Sequence, residues 1–123
     1  KIKKSVFASI KNKIHIFWYV EKNHKVIAAI GVGENEYKTR GYFIDWFAVH
    51  RTHRKKGIGK YLFSIAEAIA KEKKARYITI ECGNGNELKA ARIFYEKNGY
   101  KQSSYFPDYY NKGEHRIDYY KKV

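Results

Sequence analysis

Of the 123 residues, one is cysteine, one is proline and none is methionine. The lone Cys82 excludes an internal disulfide framework and any zinc site built from cysteines. With Pro107 the only proline, there is no proline-rich linker, and no repeat or low-complexity tract divides the chain. Apolar runs such as Phe47-Ala48-Val49 fall far short of the ~20 residues that cross a bilayer. The chain does not open on the charged, apolar, small-residue pattern of a secretory signal. These absences lead to the expectation of a soluble, cytoplasmic protein. Acidic residues are also few, 12 against 26 Lys plus Arg, which leaves a net charge of +14 with histidine neutral.

The length suits a single domain over residues 1–123. Apolar residues at 44% and aromatics at 17% supply a core and exclude intrinsic disorder. The charge has two readings, a polyanion partner or a solvated lysine surface. Lysines run from Lys1 to Lys122 with no tract of more than three basic residues. That spread favours the solvated surface and keeps a nucleic acid as the alternative partner. The first residue is Lys1 rather than Met, so a preceding piece is expected to be missing.

Residues 1–13 are ambiguous: Val6, Phe7 and Ile10 fit a short helix or a ragged strand. Ile14 to Val20, Lys25 to Val32 and Gly41 to Val49 are rich in β-branched and aromatic residues and read as an antiparallel meander. The period then changes. From Gly57 to Lys74, Ile58, Leu62, Ile65 and Ile69 recur at helical spacing. Arg76 to Cys82 reads as a strand, and Glu87 to Asn98 as a second helix ended by Gly99. Tyr100 to Tyr110 and Glu114 to Lys122 form a hairpin around Asn111-Lys112-Gly113. The order is β-β-β-α-β-α-β-β, an α/β fold. The strands at 41–49 and 76–82 are expected to lie parallel, with ligands at their carboxyl ends.

One segment carries chemistry. Arg54-Lys55-Lys56-Gly57-Ile58-Gly59-Lys60 joins a strand to a helix. A helix start leaves about four amides without partners and about half a positive charge. Two glycines let an anion approach the backbone, and four cations surround it. The pattern suits a pyrophosphate. It matches neither the dinucleotide fingerprint, since position 62 is Leu, nor a Walker loop. A basic loop that merely packs a helix closely on a sheet has the same residues.

Arg54-x-x-Gly57-x-Gly59 resembles the acetyl-CoA motif of the GCN5-related N-acetyltransferase (GNAT) family. Ala90-Ala91-Arg92-Ile93-Phe94-Tyr95-Glu96-Lys97-Asn98-Gly99-Tyr100 resembles the same family's second-helix segment. The likeness covers roughly residues 14–123 and is of the ribosomal-protein N-acetyltransferase kind. It implies a mixed central sheet flanked by helices, with the N-terminal helices short or missing here. It implies acetyl-CoA as acetyl donor, held by the backbone of Phe47, Ala48 and Val49 and by the loop Arg54, Lys55, Lys56, Gly57, Ile58, Gly59 and Lys60. It also implies Tyr95 as the acid that protonates the leaving thiolate, Glu81 as general base and Asn86 on the cofactor. No metal is called for.

These roles make chemical sense. A lysine amine starts near pKa 10.4 and an α-amine near 7.7–8.0, so either must lose a proton before attacking a thioester. A carboxylate acting through water can accept it. A phenol can hydrogen-bond or protonate the thiolate, and positioning with backbone donors supplies most of the acceleration. Asp45 is the competing base. Tyr95 could simply pack, Glu81 could be a solvated carboxylate, and Asn86 could cap the second helix. His50 and His53 are expected to support phosphates or face solvent, and Cys82 to sit in the core.

The sequence departs from the family in three places. Arg51 stands where a proline is usual, little precedes Ile14, and eight residues separate Asn86 from Tyr95, longer than the usual spacing. The last departure leaves Asn84 open as the alternative. The acceptor is expected to be a protein or peptide amine, because a positive surface repels small cations. The aromatic end (Tyr105, Phe106, Tyr109, Tyr110, Tyr119, Tyr120) could line its groove or be core and edge-strand residues. The chain is expected to be a monomer or homodimer. A non-catalytic basic module binding RNA or DNA, or a protein partner, is the competing function.

Overall fold

The computed structural model describes residues 2–8 and 14–123. The ambiguous opening stretch contains a strand, β1 (Ile2–Ala8), antiparallel to β2 (Ile14–Lys22). Ile10 lies outside the described residues. From β2 onward the elements follow the expected order: β3 (Lys25–Glu34), β4 (Gly41–Val49), α1 (Ile58–Glu72), β5 (Tyr77–Gly83), α2 (Lys89–Lys97), β6 (Lys101–Asn111) and β7 (Glu114–Lys122). The strands form one seven-stranded sheet in the order β1-β2-β3-β4-β5-β7-β6, with β4 and β5 its parallel pair.

Opposed residues in a ladder share a face. Trp18 opposes Ile30, Val32 opposes Ile44, Ile44 opposes Ile80 and Ile80 opposes Tyr119. All are buried, so one face of the sheet is continuous core from β2 to β7. Alpha1 lays Leu62, Phe63, Ala66 and Ala70 on that face. Alpha2 joins it there, with the Phe63 ring 5.0 Å from Phe94 and 5.8 Å from Tyr95. The buried row is rotated from the expected Ile58-Leu62-Ile65-Ile69 stripe, whose isoleucines are only half-buried. Sheet and α2 both press on α1, and Phe63 meets both.

The opposite face carries His15, Phe17, Gly31, Phe43, Asp45, Thr79 and Glu81 by the same register. No helix covers it among the described residues. Alpha1 ends in a full Schellman turn, with Ala75 N–H donating to Ala70 C=O at 2.9 Å and Lys74 N–H to Lys71 C=O at 3.0 Å. Among the described residues, no helix is long and apolar enough to cross a membrane.

Candidate functional site

The site begins where the parallel ladder stops. Beta4 and β5 pair from Gly41↔Tyr77 to Ile44↔Ile80 and no further, although β4 runs on to Val49 and β5 to Gly83. The facing edges of 45–49 and 81–83 are therefore open. Beta4 also bulges there: Gly31 opposes Asp45 but Ala29 opposes Ala48, one residue extra on β4. Trp46 takes φ +53 in the bulge and its side chain is exposed. A bulge of one residue reverses which side chains face in. Tyr42 and Ile44 point to the core before it; Phe47 and Val49 do so after it, against Gly59 of α1. Ala48 is left exposed.

The basic loop lies beside this opening. The first amide of α1 with a backbone partner is Tyr61, which donates to Gly57 C=O at 3.0 Å. The amides of 55–60 donate to no protein acceptor among the described residues. Gly57 has φ +80, and a Cβ built on it meets nothing within 4 Å. The turn thus needs glycine for its backbone and leaves the approach clear. Gly59 has the other role: its Cβ would press Phe47 Cζ at 3.0 Å, so it lets helix and strand approach. Arg54 caps the strand end, its Nε donating to Val49 C=O at 2.9 Å. Lys55, Lys56 and Lys60 are exposed. Thr52 N–H donates to His50 Nδ1. His53 is held below its ordinary pKa, by desolvation first and then by Lys22, Lys56 and His50, so it adds no charge at neutral pH.

Tyr95 lies under the opening on the helix-covered face. Its ring is 6.3 Å from Phe47, 5.8 Å from Phe63 and 5.6 Å from Tyr119. The side chain is largely buried, but its hydroxyl reaches solvent and makes no hydrogen bond among the described residues. Burial, then the nearby Cys82 and Tyr119, push the phenol well above its ordinary value and keep it protonated. Cys82 is itself buried, with its thiol pushed up by desolvation.

Two carboxylates stand on the other face, each one residue past the last paired rung. Asp45 on β4 meets His15 Nε2 at 2.8 Å, over Gly31, where a Cβ would collide with both Asp45 and Phe17. Its pKa is raised by burial, which outweighs the lowering by His15. Glu81 on β5 is exposed. It accepts a hydrogen bond from Tyr110 Oη at 2.7 Å, and Arg116 lies 3.6 Å away. Tyr110 reaches it because β6 loses register between Phe106 and Asn111, where residues 107–110 bow out from β7. Arg116 pairs with Asp118 at 2.9 Å and covers the Tyr109 ring at 4.9 Å.

Asn86 opens a one-turn helix (Asn86–Leu88) ahead of α2, where Gly85 and not Asn86 is the cap. Its side chain is exposed and makes no hydrogen bond among the described residues. Asn84, by contrast, is held by the hairpin: its Oδ1 accepts from His115 N–H at 2.8 Å. Arg92 grips the end of β5 through Gly83 C=O at 2.8 Å and Gly85 C=O at 2.9 Å. In the aromatic end, Tyr105, Phe106, Tyr109 and Tyr110 are exposed and Tyr119 is core. The His15 pairing, the Tyr110–Arg116 surround of Glu81 and the β4 bulge were not read from sequence. The one available signal was an acid, Asp45, inside an apolar strand.

An acetyltransferase (GNAT) domain model matches residues 13–102. None of the curated proteins matches the chain by sequence. A streptothricin acetyltransferase from Bacillus anthracis, solved with acetyl coenzyme A, superposes with TM-score 0.76 at 28% identity, over 89% of this chain and 62% of its own. A GNAT-family acetyltransferase from Desulfovibrio desulfuricans gives TM-score 0.80 at 18% identity, over 88% and 68%. A ribosomal-protein-alanine N-acetyltransferase from Brucella melitensis gives 0.72 at 16%, over 89% and 69%. The chain thus spans roughly two thirds of the length of these structures.

Proposed function

Because the chain belongs to the GNAT acetyltransferase family, we propose that the opening between β4 and β5 moves an acetyl group from acetyl-CoA directly to a primary amine. Family membership supplies the activity class, N-acetyltransferase, and the donor, acetyl-CoA. The observation that carries the site is the run of unbonded amides at 55–60 beside the open edge of β4. Those amides, with Arg54, Lys55, Lys56 and Lys60, hold the pyrophosphate. Phe47, Ala48 and Val49 offer the strand edge to the arm that carries the thioester, and Asn86 offers a free side-chain amide at the mouth.

Tyr95 and the carboxylates lie on opposite faces of the opening, which sets their roles. Glu81 takes a proton from the acceptor ammonium through water. The freed nitrogen bonds to the acetyl carbon as the C–S bond breaks, the electron pair leaves on sulfur, and the second proton the nitrogen sheds to become an amide passes to the thiolate, giving the free thiol. Tyr95 donates to that sulfur. Its raised pKa makes it a hydrogen-bond donor to the growing thiolate before it is a full acid. The unpartnered hydroxyl needs no internal bond broken to do so.

The acceptor is a protein or peptide amine in this reading. Beta6 is an edge strand with exposed side chains along its length, and an extended peptide can lie along such an edge. Streptothricin, the acceptor named for one neighbour, is the small-molecule contrast. The test combines the chain with acetyl-CoA and a panel of peptides and small amines, following thiol release, with calorimetry for donor binding. Release with a peptide supports the reading. No release with any amine and no donor binding overturns it; release with small amines alone overturns the acceptor.

A further inference from the structure

At the far end of α1, about 20 Å from the loop by helix length, lies a second basic region. A groove of about 590 Å³ opens between the end of α1, the start of β5 and the end of β7. Arg40, Lys71, Lys74, Arg76 and Lys122 line it beside Val123, the last residue of the sequence, and no carboxylate side chain does. None of the five makes an ion pair among the described residues. The Glu34 carboxylate takes the Arg40 backbone amide at 2.8 Å instead of its guanidinium. Like charges crowded with none of them ion-paired repel, and the field they focus is a reservoir for an anion.

The helix dipole accounts for Lys71 and Lys74 at a helix C-terminus. It does not account for Arg40, Arg76 and Lys122, which come from loop and strand. Nor does it account for backbone choice. Lys74 holds the left-handed position after α1, with φ +64, and Arg40 has φ +69. Glycine takes such positions without strain, and Lys74 sits where glycine usually ends a helix. A cation stands at both positions in spite of that strain, as at Lys38 and Lys55 elsewhere.

The groove also has an aromatic wall. Tyr77 and Tyr120 stack with centroids 5.3 Å apart and planes at 30°. Arg76 lies over the Tyr77 ring, 5.2 Å from its centroid, and is fixed by Nε donating to Thr39 C=O at 2.6 Å. Cations spread around a rim suit several phosphates rather than one, and ring faces suit bases. We propose that this groove binds a single-stranded nucleic acid, phosphates on the rim and a base against Tyr120. This site is separate from the acetyl-CoA site and does not rest on the transfer reading.

The test is fluorescence anisotropy of labelled single-stranded RNA and DNA ten-mers on the full chain across a salt series. Binding is expected to weaken with salt, with a log–log slope of about −0.7 per phosphate engaged. The triple variant Lys71→Gln/Lys74→Gln/Lys122→Gln is expected to bind at least about ten-fold more weakly, with a slope shallower by about two. Its acetyl-CoA affinity and melting temperature are expected to hold. A charge-matched Lys25→Gln/Lys101→Gln/Lys112→Gln variant is expected to bind as the parent does. Tyr120→Ala is expected to weaken oligonucleotides but not tripolyphosphate. Preference for RNA or DNA identifies the source of the strand. Equal loss in the charge-matched variant overturns the proposal, because net charge then suffices. So does loss confined to Lys55→Gln/Lys56→Gln, or equal competition by poly-glutamate.

Discussion

The β4–β5 pair is two structures end to end. From Gly41 to Ile44 it is a closed parallel ladder whose buried side chains are core. From Asp45 to Val49 the same strand has, among the described residues, no neighbour on that side, a bulge at φ +53, and beyond it a loop whose amides have no partner. The closed half fixes where the open half points. Order and function are therefore separable along one strand, and substitutions in the two halves should show in different measurements.

The largest effect belongs to the closed half. Ile80 is buried between Ile44 and Tyr119. Ile80→Ala is expected to cost about 2–5 kcal/mol in urea unfolding, while the folded protein keeps its acetyl-CoA affinity. A matching loss of affinity would break the division. In the open half, Tyr95→Phe is expected to lower kcat about 100-fold, ~2.7 kcal/mol in barrier, with acetyl-CoA affinity and stability retained. Stability holds because the hydroxyl has no partner to lose. An unchanged kcat removes Tyr95 from the reaction.

The two loop glycines sharpen the contrast at smaller scale. Gly57→Ala puts a Cβ into empty space at φ +80, so its cost is conformational, about 1–2 kcal/mol. The variant should weaken acetyl-CoA binding by calorimetry, because the amides around it turn away. Gly59→Ala presses on Phe47 instead. Its loss should appear in melting temperature, with kcat following Phe47 toward Tyr95. If both behave alike, the loop is packing and not a cradle.

The sequence exposed what local chemistry encodes. Periodicity and glycine spacing placed the strands and the two long helices from β2 to β7 and singled out the loop 54–60, because caps, turns and apolar periods are short-range; Tyr95 came forward only through the resemblance of its segment to the family's second-helix motif. Beta1 stayed ambiguous because its order comes from pairing with β2, a partner outside its own window. The β4 bulge has no residue signature: Trp46 is a bulky residue at positive φ. It changes which of 45–49 face the core, so side-chain roles there could not be read by alternation. His15 meeting Asp45 spans thirty positions, and Tyr110 reaching Glu81 spans twenty-nine. Such pairings exist only once the register is set.

The smallest effects decide between the two carboxylates. If Glu81 is the base, Glu81→Gln moves the pH–rate profile to higher pH and Asp45→Asn leaves it in place; the reverse transfers the role to Asp45. Asp45 has a second signature in stability. Its folded pKa is raised above the unfolded 3.8 because burial outweighs His15. The folded chain then holds that proton more tightly, so the contribution is full below 3.8 and is lost as pH rises through the folded value. Asp45→Asn should flatten that decline, by less than ~1 kcal/mol since the carboxylate is part-exposed and screened. Denaturant midpoints at acid and neutral pH measure it. A variant that declines as steeply as the parent would place the desolvated acid elsewhere, and with it the division of the strand at Asp45.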